Sequence, residues 1–216
     1  MASKMMMVEV KGTTPLLLHN GRSADVLDPL TKVFTGLLKK KAKDRTDEDL
    51  TTISSLEWWL GIYLDRQIVT DENYNCSCPV DSKLVLPTFM VEATIKNGAK
   101  KSRKGKLASA GCIVTKPSIL THRGPADVNQ MFLDDRFHFR CMVVNPSTKT
   151  RTPKTRPIFN EWSTILEIMV DLEIINAEEV VDAIQDAGRF VGFGAWSPRT
   201  GGHHGMFSVG EYAVMD

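Results

Sequence analysis

Two short stretches of the sequence concentrate basic side chains that can neutralise phosphate groups. Residues 96–106 (KNGAKKSRKGK) hold six Lys or Arg and no acid, and residues 145–157 (NPSTKTRTPKTRP) hold four and no acid. Residues 161–186, in contrast, hold eight acids and no base. The net charge of +1 gives the whole chain no strong attraction for a polyanion. The segregation of charge predicts one basic and one acidic surface, and solvated Lys-rich loops are the alternative interpretation.

A Gly-rich segment, residues 191–207, is a second candidate for contact with a phosphate backbone. It contains five Gly, which adopt positive φ at little cost. Exposed N–H groups in such a segment can form a concavity that binds anions, and Arg199 and His203 would add charge or a stacking plane. The segment lacks the Lys of a P-loop and does not follow a strand, which argues against a dinucleotide loop. A flexible connection is the alternative.

Five histidines, at positions 19, 122, 138, 203 and 204, are the residues best suited to acid–base catalysis. A meeting of His19 with His203 or His204 would suit a metal-independent endoribonuclease. No fixed spacing links them, and a single His is more often structural, so we predict no catalytic residue. Cys76 and Cys78 lack the second pair that a zinc site needs, and no carboxylate cluster accompanies the His pair. We therefore predict no metal and no other cofactor.

The length and composition predict a globular protein of one domain with insertions, or of two small domains at most. The chain has 216 residues, of which 42% are hydrophobic, enough to form a core. No apolar run reaches the length of a membrane span, and the N-terminus does not resemble a signal peptide. We therefore expect a cytoplasmic protein without a membrane partner, whose four Cys are free thiols.

The periodicity of apolar residues predicts the elements that must position these side chains. Strands are predicted over residues 5–11, 137–144, 161–172 and 207–214, the last with a bulge at Gly210. Helices are predicted over residues 24–42, 47–67, 88–96, 105–113 and 176–188. Capping boxes are predicted at Thr46 with Asp49 and at Asn176 with Glu179.

The strands 137–144 and 161–172 are predicted to form a long hairpin whose basic tip covers about residues 145–157. Without the two helices inserted after the first strand, the order is strand, helix, strand, strand, helix, strand. This is the βαββαβ order of the ferredoxin-like fold, an α+β antiparallel sheet that RRM domains also use. We predict a single domain over residues 1–216, with a helical insertion over about residues 24–80.

The predicted nucleic-acid contacts come from the two basic stretches, one strand and the Gly-rich segment. RRM domains carry aromatic residues on a central strand, but His138 and Arg140 occupy the candidate face here. The full set is Lys100, Lys101, Arg103, Lys104, Lys106, His138, Arg140, Lys149, Arg151, Lys154, Arg156, Arg199 and His203. Contacts of this kind to phosphates give affinity with little sequence preference.

The sequence resembles the RAMP superfamily of CRISPR-associated RNA-binding proteins, in particular the backbone-subunit-like members found in phage genomes. Residues 12–21 (GTTPLLLHNG) are similar to the opening of the family, and residues 84–87 (LVLP) to its entry into the first core helix, without the Gly-Ser common there. The Gly-rich element of the family is matched by Arg156-Pro157, Trp162, Ala187-Gly188, Gly192, Gly194, Ser197-Pro198-Arg199 and Gly201-Gly202. The resemblance covers residues 1–21 and most of residues 84–214, and the two inserted helices lie outside it.

The resemblance implies a single-stranded nucleic-acid-binding protein that assembles in several copies along RNA, or along DNA if it is phage-encoded. We expect no enzymatic activity, self-association, and a location in the bacterial cytoplasm if a phage encodes the chain. The first alternative is the metal-independent endoribonuclease of RAMP type. The second is a phage-encoded interaction protein acting on host defence through the insertion, where either Trp58 or Trp59 would be exposed.

Overall fold

The computed structural model describes residues 3–144 and 149–215 as a mixture of helices and antiparallel strands, which confirms the predicted α+β class. The strands are β1 Ser3–Gly12, β2 Leu16–Leu17, β3 Val69–Thr70, β4 Cys76–Ser77, β5 Val85–Leu86, β6 Cys112–Val114, β7 Ser118–Ile119, β8 Thr121–His122, β9 His138–Val144, β10 Arg151–Phe159, β11 Trp162–Asp171 and β12 Phe207–Met215. The helices are α1 Pro29–Lys39, α2 Asp47–Trp59, α3 Thr88–Ala99, α4 Gly105–Gly111, α5 Val128–Phe132 and α6 Ala177–Phe190. Among the described residues, no helix is long and apolar enough to cross a membrane.

The chain divides into two compact units. The first comprises residues up to Leu17, Leu84–Arg123, and residues from Phe159 onward. The second comprises Leu18–Lys83 and Gly124–Ile158. The helical insertion predicted over about residues 24–80 lies within the second unit, which also takes in β9 and much of β10.

The first unit is built on an antiparallel sheet with the strand order β12–β1–β11–β6, in which β8 also pairs with β11. Alternate residues of β1 and β11 form one apolar face, where Met6 lies opposite Ile168 and Val8 opposite Leu166. All four side chains are fully buried. This alternation is the one predicted from the sequence, because a half-buried strand must turn every second side chain into the core.

The two long helices of the first unit, α3 and α6, pack closely against each other. A Cβ added to Gly98 would lie 2.1 Å from the carbonyl oxygen of Ala183, so only glycine fits at this crossing. Helix α6 begins with the predicted capping box, in which Asn176 accepts from the Glu179 N–H and Glu179 accepts from the Asn176 N–H. The helix runs to Phe190, two residues beyond the predicted end.

The last strand, β12, carries the predicted bulge. Val8 lies opposite Tyr212 and Val10 opposite Val209, so two residues of β12, Gly210 and Glu211, face one residue of β1. A Cβ added to Gly210 would lie 2.7 Å from Oε2 of Glu9, so glycine leaves room for the Glu9 side chain beside the bulge.

The second unit contains the inserted helices, which are shorter than predicted. Helix α1 begins at Pro29 after the cap Asp28, five residues later than expected, because Asp followed by Pro is a strong helix start. Helix α2 begins with the predicted Thr46 capping box but ends at Trp59. The loop predicted over residues 70–83 contains part of the short β3–β4 pair, and α5 was not predicted.

Both Trp58 and Trp59 are fully buried, so the expectation that one of them is exposed at an interface was wrong. Their rings meet edge to face at 5.2 Å, and each also contacts Phe132. The Trp58 Nε1 donates to the carbonyl of Phe137. The aromatic pair is therefore core of the second unit.

The predicted hairpin between residues 137–144 and 161–172 does not form. Strand β9 pairs instead with β10, with Arg140 opposite Thr155 and Arg151 opposite Val144. Strand β11 pairs with β1, and β6 takes the place beside β11 that had been expected for β9. The two prolines and the polar residues of β10 are typical of a loop, which is why the sequence predicts a hairpin tip there. The tip predicted over residues 145–157 is therefore largely strand, and its residues 145–148 lie outside those that the structure describes.

Candidate nucleic-acid interface

The first basic stretch lies where the first unit turns from α3 into α4. The turn is held by backbone bonds from the Lys101 N–H to the Gly98 carbonyl and from the Lys104 N–H to the Ala99 carbonyl, at 3.1 and 2.8 Å. Arg103 adopts a left-handed conformation with φ of 62°. This geometry is rare for a residue other than glycine, and it reverses the chain within a few residues.

Two predicted site residues of this stretch have partners within the first unit. The Lys104 Nζ lies 2.7 Å from Glu179 Oε1, and this contact lowers the pKa of the Glu179 carboxyl below its ordinary value. The Lys101 Nζ sits over the ring of Phe190, 2.9 Å from its centroid, in a cation–π contact. Both side chains help to hold α6 against the turn, so they offer less to a ligand.

The remaining basic residues surround an open groove between the end of α3 and α4. Its basic lining residues, all exposed, are Lys96, Lys100, Arg103 and Lys106. Gly105, Ser109 and Ala110 complete the lining. Lys100 Nζ donates to Asn97 Oδ1 at 2.8 Å, a neutral partner that leaves its charge uncompensated. None of the seven lining residues is acidic. The groove is therefore a concentrated patch of positive potential, although the chain is almost neutral.

Lys96 and Ser109 belong to this groove although they were not among the predicted contacts. Lys96 precedes Lys100, the residue that caps α3, by four residues, so the two side chains lie on the same helix face. That spacing is the signal that could have added Lys96 to the set. The position of Ser109 depends on where α4 packs, which no local pattern indicates.

The second group of predicted contacts lies on β9 and β10 of the second unit, and several members have structural partners. Lys154 Nζ lies 2.6 Å from Oε1 of Glu57, whose side chain is only 7% exposed. The same carboxylate accepts from the Thr155 N–H at 2.7 Å. Lys154 therefore neutralises a buried charge, which is a role in folding.

His138 is likewise a structural residue within the second unit. Its ring stacks on Trp58 at 5.5 Å, and its Nε2 lies 2.7 Å from the carbonyl oxygen of Phe132. Arg140, two residues along β9, is exposed and lines a pocket with His138 and Lys154. Arg140 is thus the member of this strand pair best placed to meet a ligand.

Arg156 lies close to His19 in the second unit, since both line one small pocket. Burial lowers the pKa of His19, and the positive charges of Arg156 and Lys154 lower it further. A neutral imidazole beside a guanidinium would gain a proton if an anion bound there. Lys149 and Arg151 are exposed at the start of β10, and Lys149 has a positive φ of 56°.

The Gly-rich segment is a closely packed connection in the first unit, and it is not a row of exposed N–H groups. N–H groups at positions 192, 193, 195, 199–202 and 204–206 donate to other groups of the protein. A Cβ added to Gly205 would lie 2.0 Å from the carbonyl oxygen of Phe193, and one added to Gly194 would lie 2.2 Å from that of Leu17. The glycines therefore permit close backbone packing. Arg199 and His203 project from the segment as exposed side chains.

The candidate catalytic histidines are divided between the two units. His19 belongs to the second unit, whereas His122, His203 and His204 belong to the first. Burial lowers the pKa of His122 and of His204. No group of three or more His, Cys, Asp or Glu in residues 3–144 and 149–215 could hold a metal ion.

The four cysteines are free thiols. Burial raises the pKa of Cys76 and of Cys112 to about 11 in each case, so both stay protonated near neutral pH. Protonated thiols are poor metal ligands and poor nucleophiles.

No family model matches this chain, and no curated protein matches it in sequence. Among solved structures, it is similar to a chain in the cryo-EM structure of the Type III-B Cmr-beta bound to cognate target RNA. The TM-score is 0.55 and the identity 10%, over 99% of this chain and 61% of that chain. The protein thus spans about three fifths of the length of that neighbour. At this identity the similarity establishes a shared fold and does not establish function.

Proposed function

We propose that this protein binds single-stranded RNA and holds it by its phosphate backbone at the groove between α3 and α4. The observation that carries this proposal is the grouping of Lys96, Lys100, Arg103 and Lys106 around one groove without an acidic residue in its lining. Cations grouped in this way bind polyanions and make affinity depend on salt rather than on sequence. The structural neighbour comes from the Type III-B Cmr-beta bound to cognate target RNA, which favours RNA over DNA as the ligand.

We further propose that the first unit is a ferredoxin-like domain of the RAMP type. The order β1, α3, β6, β11, α6, β12 along the chain, with the sheet order β12–β1–β11–β6, supports this arrangement. The similarity to a Type III-B Cmr-beta chain supports it independently. Fold alone does not give function, so the groove remains the argument for RNA binding.

Several copies of the protein are proposed to assemble on one RNA strand. Strand β12 lies at the end of the sheet order and has nine residues. Its residues 211–215 are exposed, including Tyr212 and Val214. A long exposed edge strand is a template for pairing with another chain, which supports self-association.

The proposed activity is binding without cleavage. The histidines at positions 122, 203 and 204 belong to a different unit from His19. Incubation with labelled hairpin RNA should leave it intact. Discrete fragments that disappear on His19→Ala would instead establish the endoribonuclease.

The binding proposal is tested by charge reversal in the groove. The variant Lys100→Glu, Arg103→Glu, Lys106→Glu should lose affinity for unstructured RNA of every sequence. A matched variant changes three exposed lysines of the second unit by the same total charge, at Lys32→Glu, Lys39→Glu and Lys43→Glu. It should bind almost as the unmodified protein does. Unchanged affinity in the groove variant, measured by fluorescence anisotropy, refutes the proposal.

A further inference from the structure

A second pocket opens beside the basic groove and shares two of its residues. It has a volume of about 460 Å³ and lies between α3, α4 and β6. Lys96 and Ser109 line both this pocket and the groove, so the two cavities are adjacent. A phosphate held by Lys96 would therefore lie at the edge of the second pocket, within the reach of its own nucleotide.

The walls of this pocket are suited to a flat, apolar ring. The Phe89 side chain is 61% exposed there, and Ile113 is 51% exposed. These two exposed side chains give the pocket an apolar wall that water alone would otherwise cover. An aromatic ring beside a cationic groove is the arrangement by which proteins stack single-stranded bases.

A carboxylate on the same wall adds a group that accepts hydrogen bonds and does not donate them. Glu92 lines the pocket, and its Oε1 accepts from the Val114 N–H at 3.1 Å, which fixes the carboxylate. Within the part of the chain that the structure describes, Glu92 Oε2 accepts no hydrogen bond. An ionised carboxylate only accepts, so it favours base edges that donate, such as the amino groups of cytosine and adenine. Uracil presents two carbonyl oxygens beside its single N–H and is disfavoured.

We infer that this pocket is a nucleobase subsite, in which a base stacks on Phe89 and an amino-bearing base donates to Glu92. The inference rests on the proposed RNA binding and adds to it a base preference, for cytosine or adenine over uracil. Lys96 joins the two cavities, binding the phosphate of the nucleotide whose base occupies the pocket.

The test compares oligo(C), oligo(A) and oligo(U) RNA of equal length at one salt concentration. The unmodified protein should bind oligo(C) and oligo(A) more tightly than oligo(U). Phe89→Ala should weaken binding of all three by about 10-fold, since stacking contributes this much per base. Glu92→Gln, whose amide both donates and accepts, should remove the preference against oligo(U) while leaving the salt dependence unchanged.

Leu107→Ala is the matched control, because Leu107 is an exposed apolar residue of α4 that lines neither cavity. It should bind all three oligomers as the unmodified protein does. Salt-dependent binding with equal affinity for the three oligomers, and with Phe89→Ala unchanged, overturns the subsite and leaves the proposed function standing. Absence of binding to every oligomer overturns both. Thermal unfolding of each variant separates a loss of binding from a loss of fold.

Discussion

Neutralising the basic groove should lower the salt dependence of RNA binding by an amount that follows from its lining. Four exposed cations surround it, Lys96, Lys100, Arg103 and Lys106. If each neutralises one phosphate, they contribute a slope of about −2.8 to log Kobs against log salt, at about −0.7 per contact on a single strand. When salt is raised from about 50 to about 200 mM, the salt dependence of these four contacts alone should weaken binding about 50-fold.

The variant Lys100→Gln, Arg103→Gln, Lys106→Gln keeps only Lys96 in the groove. Its slope should be shallower than that of the unmodified protein by about 2.1, whatever other contacts both proteins make. Glutamine preserves most of the side-chain length, so the change removes charge with little change in packing. The measurement is fluorescence anisotropy of a labelled, unstructured RNA, titrated at several salt concentrations.

Two outcomes would refute this reasoning. A groove variant with the slope of the unmodified protein would mean that these side chains contact no phosphate. The control Lys32→Gln, Lys39→Gln, Lys43→Gln removes the same charge from the second unit, and its slope should not change. An equal loss of slope in both variants would show an effect of net charge and not of a local groove.

Four further predictions concern stability, each measured by chemical or thermal unfolding. Lys154→Ala should destabilise the protein by about 3 kcal/mol, because it leaves the buried carboxylate of Glu57 without its cation. Gly205→Ala should cost about 2 kcal/mol or more, since its Cβ meets a carbonyl oxygen at 2.0 Å with φ of 67°. Gly201→Ala, with positive φ but open space, should cost about 1 kcal/mol. Because folding lowers the pKa of Glu179, its ionised carboxylate stabilises the folded state above pH 4.5. This stability is lost as the pH falls through the folded-state pKa. Lys104→Ala should make the loss smaller.

Local sequence signals predicted the parts of the fold that depend on neighbours in the chain. The capping boxes at Thr46 and Asn176, the alternation of β1 and β11, and the bulge at Gly210 all depend on residues a few positions apart. Strand pairing depends on distant segments, and alternation does not say which strand a given strand meets. Alternation alone therefore pairs β9 with β11, and the helical pattern of residues 105–113 extends into β6, which has only three residues.

The sequence shows which stretches of the chain are basic. It does not show which of their side chains are free to contact a ligand. The sequence identified both basic stretches, yet Lys104, Lys154 and His138 turned out to have partners that stabilise the fold. Glu57 is about a hundred residues from Lys154, and no periodicity relates two residues at such a distance. A Lys that pairs with a buried carboxylate has the same appearance in a sequence as one that contacts a phosphate.

The distribution of partners decides which basic surface is the better candidate for the ligand. In the second unit, the ammonium of Lys154 balances a buried acid, so charge reversal there would test folding as much as binding. In the first unit, the cations of the groove come from one continuous stretch of chain, between Lys96 and Lys106, and face no acid in its lining. The Gly-rich segment uses most of its N–H groups internally, which leaves side chains such as Arg199 as its means of contact. A phosphate backbone would therefore be held mainly by Lys and Arg side chains, and affinity without salt dependence would contradict that conclusion.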